Sequence, residues 1–96
     1  MAYRVRWSPR AADDLEAIAE YISLDSPAYA KSVTKAIVEI TRKFSEFPLA
    51  GRVVPEFNDD NIREWFAYSY RIIYRIDQNV VTIAAIVHGR RMLTTD

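Results

Sequence analysis

The stretch YRIIYRIDQNVVTIAAIVHGRRML, from Tyr70 to Leu93, reads as two strands joined by a tight Asp77-Gln78-Asn79 turn. Tyr70, Ile72, Tyr74 and Ile76 alternate with Arg71, Ile73 and Arg75. A period of two marks a strand with one buried face. The tyrosine–isoleucine set is expected to face the core, so Arg71 and Arg75 point away from it. The next run, Val80 to His88, is apolar on both alternating sets. Val81, Ile83, Ala85 and Val87 form the bulkier set and are placed inward. Val80, Thr82, Ala84, Ile86 and the single histidine, His88, are then placed outward, on the arginine side. The apolar members of that side imply that something covers part of it.

Upstream, Ile62 to Tyr68 is a further strand candidate, with Trp65 and Phe66 adjacent in it. Pro48 to Asn61, punctuated by Gly51, Pro55 and Asn58-Asp59-Asp60, reads as a loop with room for one short extended piece. Before it, two amphipathic helices are expected. Ser8-Pro9 and Ser26-Pro27 each supply an N-cap followed by proline at the first helical position. Ala11, Leu15, Ile18 and Ile22 stripe the first helix, with Asp13 and Asp14 near its start complementing the helix dipole. Val33, Ile37, Ile40 and Phe44, extended by Phe47, stripe the second, which is expected to run from Pro27 to about Glu46. So short a link makes the helices antiparallel. Acids on the first and Lys31, Lys35, Arg42 and Lys43 on the second favour that pairing. At the N-terminus Tyr3, Val5 and Trp7 alternate with Arg4 and Arg6, giving a strand whose arginines face outward.

The element order is therefore β-α-α-β-β-β. It predicts one α+β domain over residues 1–96, with two antiparallel helices on one face of a four-stranded, mostly antiparallel sheet. The first strand must join the sheet through a non-local pairing.

Composition narrows the function. Thirteen basic and thirteen acidic residues give a net charge of zero, which argues against a general nucleic-acid coat and leaves room for a local basic patch. With no cysteine and one histidine, disulfides and thiolate metal sites are excluded and a zinc site is not expected; no cofactor is implied. No apolar run reaches the roughly 20 residues that span a bilayer, so a cytoplasmic protein with no membrane partner is expected. After Lys43 every cationic side chain is arginine: Arg52, Arg63, Arg71, Arg75, Arg90 and Arg91. Arginine offers a planar fork for phosphate or carboxylate, where lysine is a point charge. Arginines on a strand face also serve simply to solvate it.

Three blocks in order, FP..GR..PEF, YRIIYRI and an apolar strand ending in HGRR, make the whole chain resemble the RelE/ParE toxin superfamily, and its ParE branch of plasmid-stabilisation toxins in particular. The resemblance implies the toxin of a type II toxin–antitoxin module. A small antitoxin, commonly a DNA-binding dimer with a flexible C-terminal segment, would neutralise it. ParE-type members are associated with inhibition of DNA gyrase, and RelE-type members with cleavage of messenger RNA on the ribosome. The RelE-type cluster is rich in lysine and arginine and has a tyrosine near the C-terminus. Here no lysine follows Lys43 and the tail after Arg91 contains no tyrosine.

A second nuclease pattern in the superfamily uses Glu, Arg and His, and the resemblance implies for it Glu56 as base, His88 as acid, and Arg63 or Arg71 as phosphate clamp. Binding without catalysis is the reading adopted, with Arg71, Arg75, His88, Arg90, Arg91, Met92 and Leu93 as target- or antitoxin-contacting residues. A toxin-like interaction module without activity is the third alternative.

Overall fold

The computed structural model describes residues 2–93. Among them the elements are β1 (Arg4–Trp7), α1 (Pro9–Ser23), α2 (Pro27–Lys43), β2 (Arg52–Val53), β3 (Ile62–Ala67), β4 (Tyr70–Asp77) and β5 (Val80–His88). The sheet order is β1-β5-β4-β3-β2, antiparallel throughout except that β1 runs parallel to β5. The sheet thus has five strands rather than four. The additional one is the short extended piece in the loop, Arg52–Val53, which pairs with Glu64 and Arg63.

Local chemistry places the helices as expected. Ser8 and Ser26 cap them, their hydroxyls accepting from the N–H groups of Ala11 at 3.0 Å and Tyr29 at 3.1 Å, with Pro9 and Pro27 following. The helices lie on the face of the sheet that carries Tyr70, Ile72, Tyr74 and Ile76. Ala11, Val33, Ile37, Phe44, Ile72, Tyr74, Val81 and Ile83 are almost fully enclosed there. Each large side chain so buried contributes about 1.5–3 kcal/mol, which makes this layer the main source of stability.

Tyr74 is its anchor. The ring stacks on Phe44 at 4.1 Å between centroids. Its hydroxyl donates to the Pro48 carbonyl and accepts from the Gly51 N–H, both at 2.8 Å. A Cβ on Gly51 would stand 2.5 Å from the Glu64 carbonyl oxygen, so only glycine lets the loop reach that hydroxyl.

Three expectations are corrected here. α2 ends at Lys43, and Phe47 lies beyond it and is 62 % exposed, so Phe47 is not part of the core stripe. No ion pair joins α1 to α2 among the described residues; Arg10 pairs with Asp14 within α1. Asp14 serves a different purpose, which follows from the third correction.

Across β4 and β5, Ile73 pairs with Ala85 but Tyr74 pairs with Ile83, so Ala84 is an extra residue, a β-bulge. The bulge reverses the inward–outward parity of β5 midway. Val81 and Ile83 face the helices, as expected. Past the bulge it is Ile86 that enters the helix-side core, while Ala85 and Val87 turn to the opposite face. His88 pairs with Tyr70 and stands beside its ring, on the helix side, away from the arginines. The backbone groups displaced by the bulge are satisfied by α1: the Ser8 hydroxyl donates to the Ala84 carbonyl at 3.0 Å, and the Asp14 carboxylate accepts from the Ile86 N–H at 2.9 Å.

Candidate functional site

The face of the sheet away from the helices is covered at one end only. There Val54 and Phe57 from the long loop, Ile62 at the start of β3 and Leu93 from the C-terminal segment pack on Ile73, Ala85 and Val87. This second small core supplies the cover that the apolar side chains of that face call for.

Charge is built into the same region. Arg71, on β4, has a side chain only 5 % exposed, and Glu64, on the neighbouring β3, is fully enclosed. The Arg71 Nε donates to Glu64 Oε1 at 2.6 Å. Its two terminal nitrogens donate to both oxygens of Glu56, Nη1 to Oε2 at 2.8 Å and Nη2 to Oε1 at 2.9 Å. Arg52 closes the group by bonding Glu64 Oε2 and resting over the Phe66 ring. The two outermost contacts hold the C-terminal segment: Arg71 Nη1 donates to the Arg91 carbonyl at 3.0 Å, and the Leu93 N–H donates to Glu56 Oε2 at 3.1 Å.

Electrostatics follow from these bonds. The Arg71 guanidinium, helped by the Leu93 N–H, holds the Glu56 carboxyl down at about 2. Glu56 in turn raises the affinity of Arg71 for its proton. A carboxylate so strongly stabilised, with both oxygens engaged, is a poor proton acceptor at neutral pH. Buried ion networks of this kind add little net stability over an apolar filling of the same shape. What this one does is define where the loop and the C-terminal segment lie.

Of the residues singled out from the sequence, the fold therefore brings Glu56 and Arg71 together and adds Leu93 and the Arg91 backbone to them. Arg63 does not join them. It lies on the other face of β3, donating to the carbonyls of Asp60 and Gly51, each at 2.9 Å, and so braces the loop. His88 is likewise on the helix side, where its Nδ1 accepts from the Arg90 N–H at 3.3 Å. In its neutral form that ring carries its proton on Nε2. Arg90, Arg91 and Met92 are exposed beside the covered end, with Met92 74 % exposed. Arg75 is exposed at the opposite end of the same face. Arg52 was named only as one of the arginines after Lys43, and Glu64 was not singled out from the sequence. A carboxylate in mid-strand, between Arg63 and Trp65, was the available sign.

No group of three or more potential ligands able to hold a metal occurs among the described residues. None of their helices is long and apolar enough to cross a membrane.

Two helices against one face of a mixed sheet, with arginines on the other, define the RelE/ParE class of small toxins, and solved structures agree. A chain of the chromosomal ParDE toxin–antitoxin system from P. aeruginosa superposes with a TM-score of 0.75 at 22 % identity, over 91 % of this chain and 96 % of that one. One from the RelBE2 toxin–antitoxin complex of Mycobacterium tuberculosis gives 0.66 at 25 % identity, over 92 % and 99 %. The archaeal RelE–RelB complex from Pyrococcus horikoshii gives 0.63 at 16 % identity, over 96 % and 100 %. Comparison with curated protein sequences returned no match. The family model for the ParE toxin of the type II toxin–antitoxin system parDE matches residues 5–93, and the chain belongs to that family.

Proposed function

We propose that this ParE-family toxin acts by binding rather than by cutting RNA, with DNA gyrase as its target, and that a cognate antitoxin neutralises it. The observation that carries the reading is the state of Glu56. The carboxylate needed as a base is locked in a two-pronged pair with Arg71 and held at about 2. The histidine needed as an acid lies across the sheet beside Tyr70. Binding asks for no such pair. It asks for a defined surface, and the C-terminal segment, tied down by Arg71 and Glu56 while exposing Arg90, Arg91 and Met92, supplies one. The antitoxin partner is supported by the solved relatives, which are described as toxin–antitoxin systems or complexes.

Controlled expression in a bacterium, scoring DNA-damage response against transcript cleavage on ribosomes, tests the proposal. Filamentation with intact transcripts is the expected result. Removing residues 90–96 is expected to abolish toxicity while a folded domain remains. Transcript cleavage that disappears in both Glu56→Ala and His88→Ala would overturn the binding mechanism in favour of a nuclease. Absence of any toxicity, with antitoxin binding retained, would identify an inactive interaction module.

A further inference from the structure

The arginines of the sheet divide into two groups by what they touch. Arg52, Arg63 and Arg71 are all engaged internally, with carboxylates or loop carbonyls. Arg4, Arg6 and Arg75 form no ion pair among the described residues, and all three are exposed. They converge nonetheless. Arg6 and Arg75 both lie opposite Thr82, one on each neighbouring strand, and Arg4 lies opposite Val80 two residues along. Together with Asp77, Gln78, Val80 and Thr82 they line a recess of about 250 Å³, in which Asp77 is the one carboxylate among the described residues. Strand geometry sets the spacing: roughly 7 Å between Arg4 and Arg6 along β1, and roughly 10 Å between Arg6 and Arg75 across two strand intervals.

The three like charges, fixed on one sheet face with β5 between β1 and β4 and offset only in part by Asp77, repel one another, and an anion spanning them relieves that repulsion. The surroundings indicate which anion. A protein interface is built on exposed aromatic or aliphatic anchors. Among the described residues, the exposed large apolar side chains, including Tyr21, Leu24, Trp65, Phe66, Tyr68 and Met92, all lie outside the recess. Single-stranded nucleic acid is held by stacking bases on aromatic rings, and among the described residues no ring lines this recess. What remains is backbone recognition, in which arginine forks, a hydroxyl and an amide meet phosphate oxygens and read no sequence.

We infer that Arg4, Arg6 and Arg75 form a docking patch for the phosphate backbone of double-helical DNA. Its argument is independent of the target proposed above. The zero net charge of the chain keeps such binding local and weak, and strongly dependent on salt.

Fluorescence anisotropy of the purified chain with a labelled mixed-sequence DNA duplex tests this, at a series of salt concentrations. Three phosphate contacts predict a slope of log K against log salt of about −2.7, from about 0.9 per phosphate. Arg4→Gln, Arg6→Gln and Arg75→Gln are each expected to weaken binding for all sequences alike and to reduce the slope by about 0.9. The triple variant is expected to lose binding, and Lys35→Gln, on the exposed side of α2, to keep it. Circular dichroism checks that every variant is folded. Full binding by a folded triple variant overturns the inference, as does failure of the unsubstituted chain to bind the duplex at low salt. Tighter binding of the single strand than of the duplex overturns it in favour of stacking elsewhere. Displacement by millimolar inorganic phosphate would reduce the patch to a small-anion site, and tighter binding of a polyglutamate peptide would make it a protein-docking surface. Either result also overturns it.

Discussion

The two ends of the open sheet face use the same residue type for opposite ends. At one, Arg71 is enclosed between Glu56 and Glu64 beneath the loop and the C-terminal segment. At the other, Arg4, Arg6 and Arg75 stand in solvent with no such partners. An arginine surrounded by carboxylates organises the chain around it, and its removal is felt by the fold. Without them, it is available to something outside the molecule, and its removal should be felt only by that partner.

The comparison breaks most visibly at Arg71. Arg71→Ala leaves Glu56 without a cation and the enclosed Glu64 held by Arg52 alone, and is expected to destabilise by about 3–5 kcal/mol, read from urea unfolding. A loss below 1 kcal/mol would mean that the network does not organise this end. Next is Gly51→Ala, whose new methyl group meets the Glu64 carbonyl and the Tyr74 hydroxyl. Overpacking of that sort costs about 1–3 kcal/mol, and the loop should show it first, as faster amide exchange in residues 48–60.

Acid sharpens the contrast. The Glu56 carboxyl titrates at about 2 in the folded chain against an ordinary 4.5. Between those values the unfolded chain binds more protons than the folded one. The stabilising contribution is therefore complete above about 4.5 and lost as the pH falls toward 2. The urea midpoint of Glu56→Gln is expected to fall less steeply than that of the unsubstituted protein across this window. Parallel pH profiles would show that the carboxylate is not held as described.

At the far end, Arg4→Gln, Arg6→Gln and Arg75→Gln should each change stability by no more than about 0.5 kcal/mol. A larger loss in any of them would place it with Arg71 as a structural arginine. Gln78, at the turn of the same end, has a φ of +54°. Gln78→Gly relieves a conformation disfavoured by about 1 kcal/mol, and the melting temperature should rise slightly.

What could be read in the sequence was what local chemistry determines. The caps at Ser8-Pro9 and Ser26-Pro27, the helix stripes, and the alternation in Tyr3–Trp7 and Tyr70–Ile76 all proved to be structure. The misplacement of Ile86 and His88 has a definite physical origin. Ala84 and Ala85 are both small and apolar, so nothing in β5 itself marks where the parity reverses; the marks are Ser8 and Asp14, over 70 residues away. The site was legible in some of its members and in none of its pairings. Glu56 and Arg71 were both noticed, yet a carboxylate in a loop and an arginine in a strand do not announce that they will neutralise each other. Glu64 escaped notice because a buried acid is recognised by its partners, and these were assigned to other tasks.

The parallel seam between β1 and β5 joins Arg4 to Val80. Pairings so distant in sequence are among the slowest to form, because the intervening chain must be gathered first. On a ribosome the α1–α2 hairpin can pack as soon as it emerges, whereas β1 has no strand partner until Val80–His88 has followed it out. The arginine recess, which draws on β1, β4 and β5, is thus among the last surfaces to exist. A nascent chain of this design carries its helices early and its charged face late, so synthesis itself sets the moment at which that face becomes available.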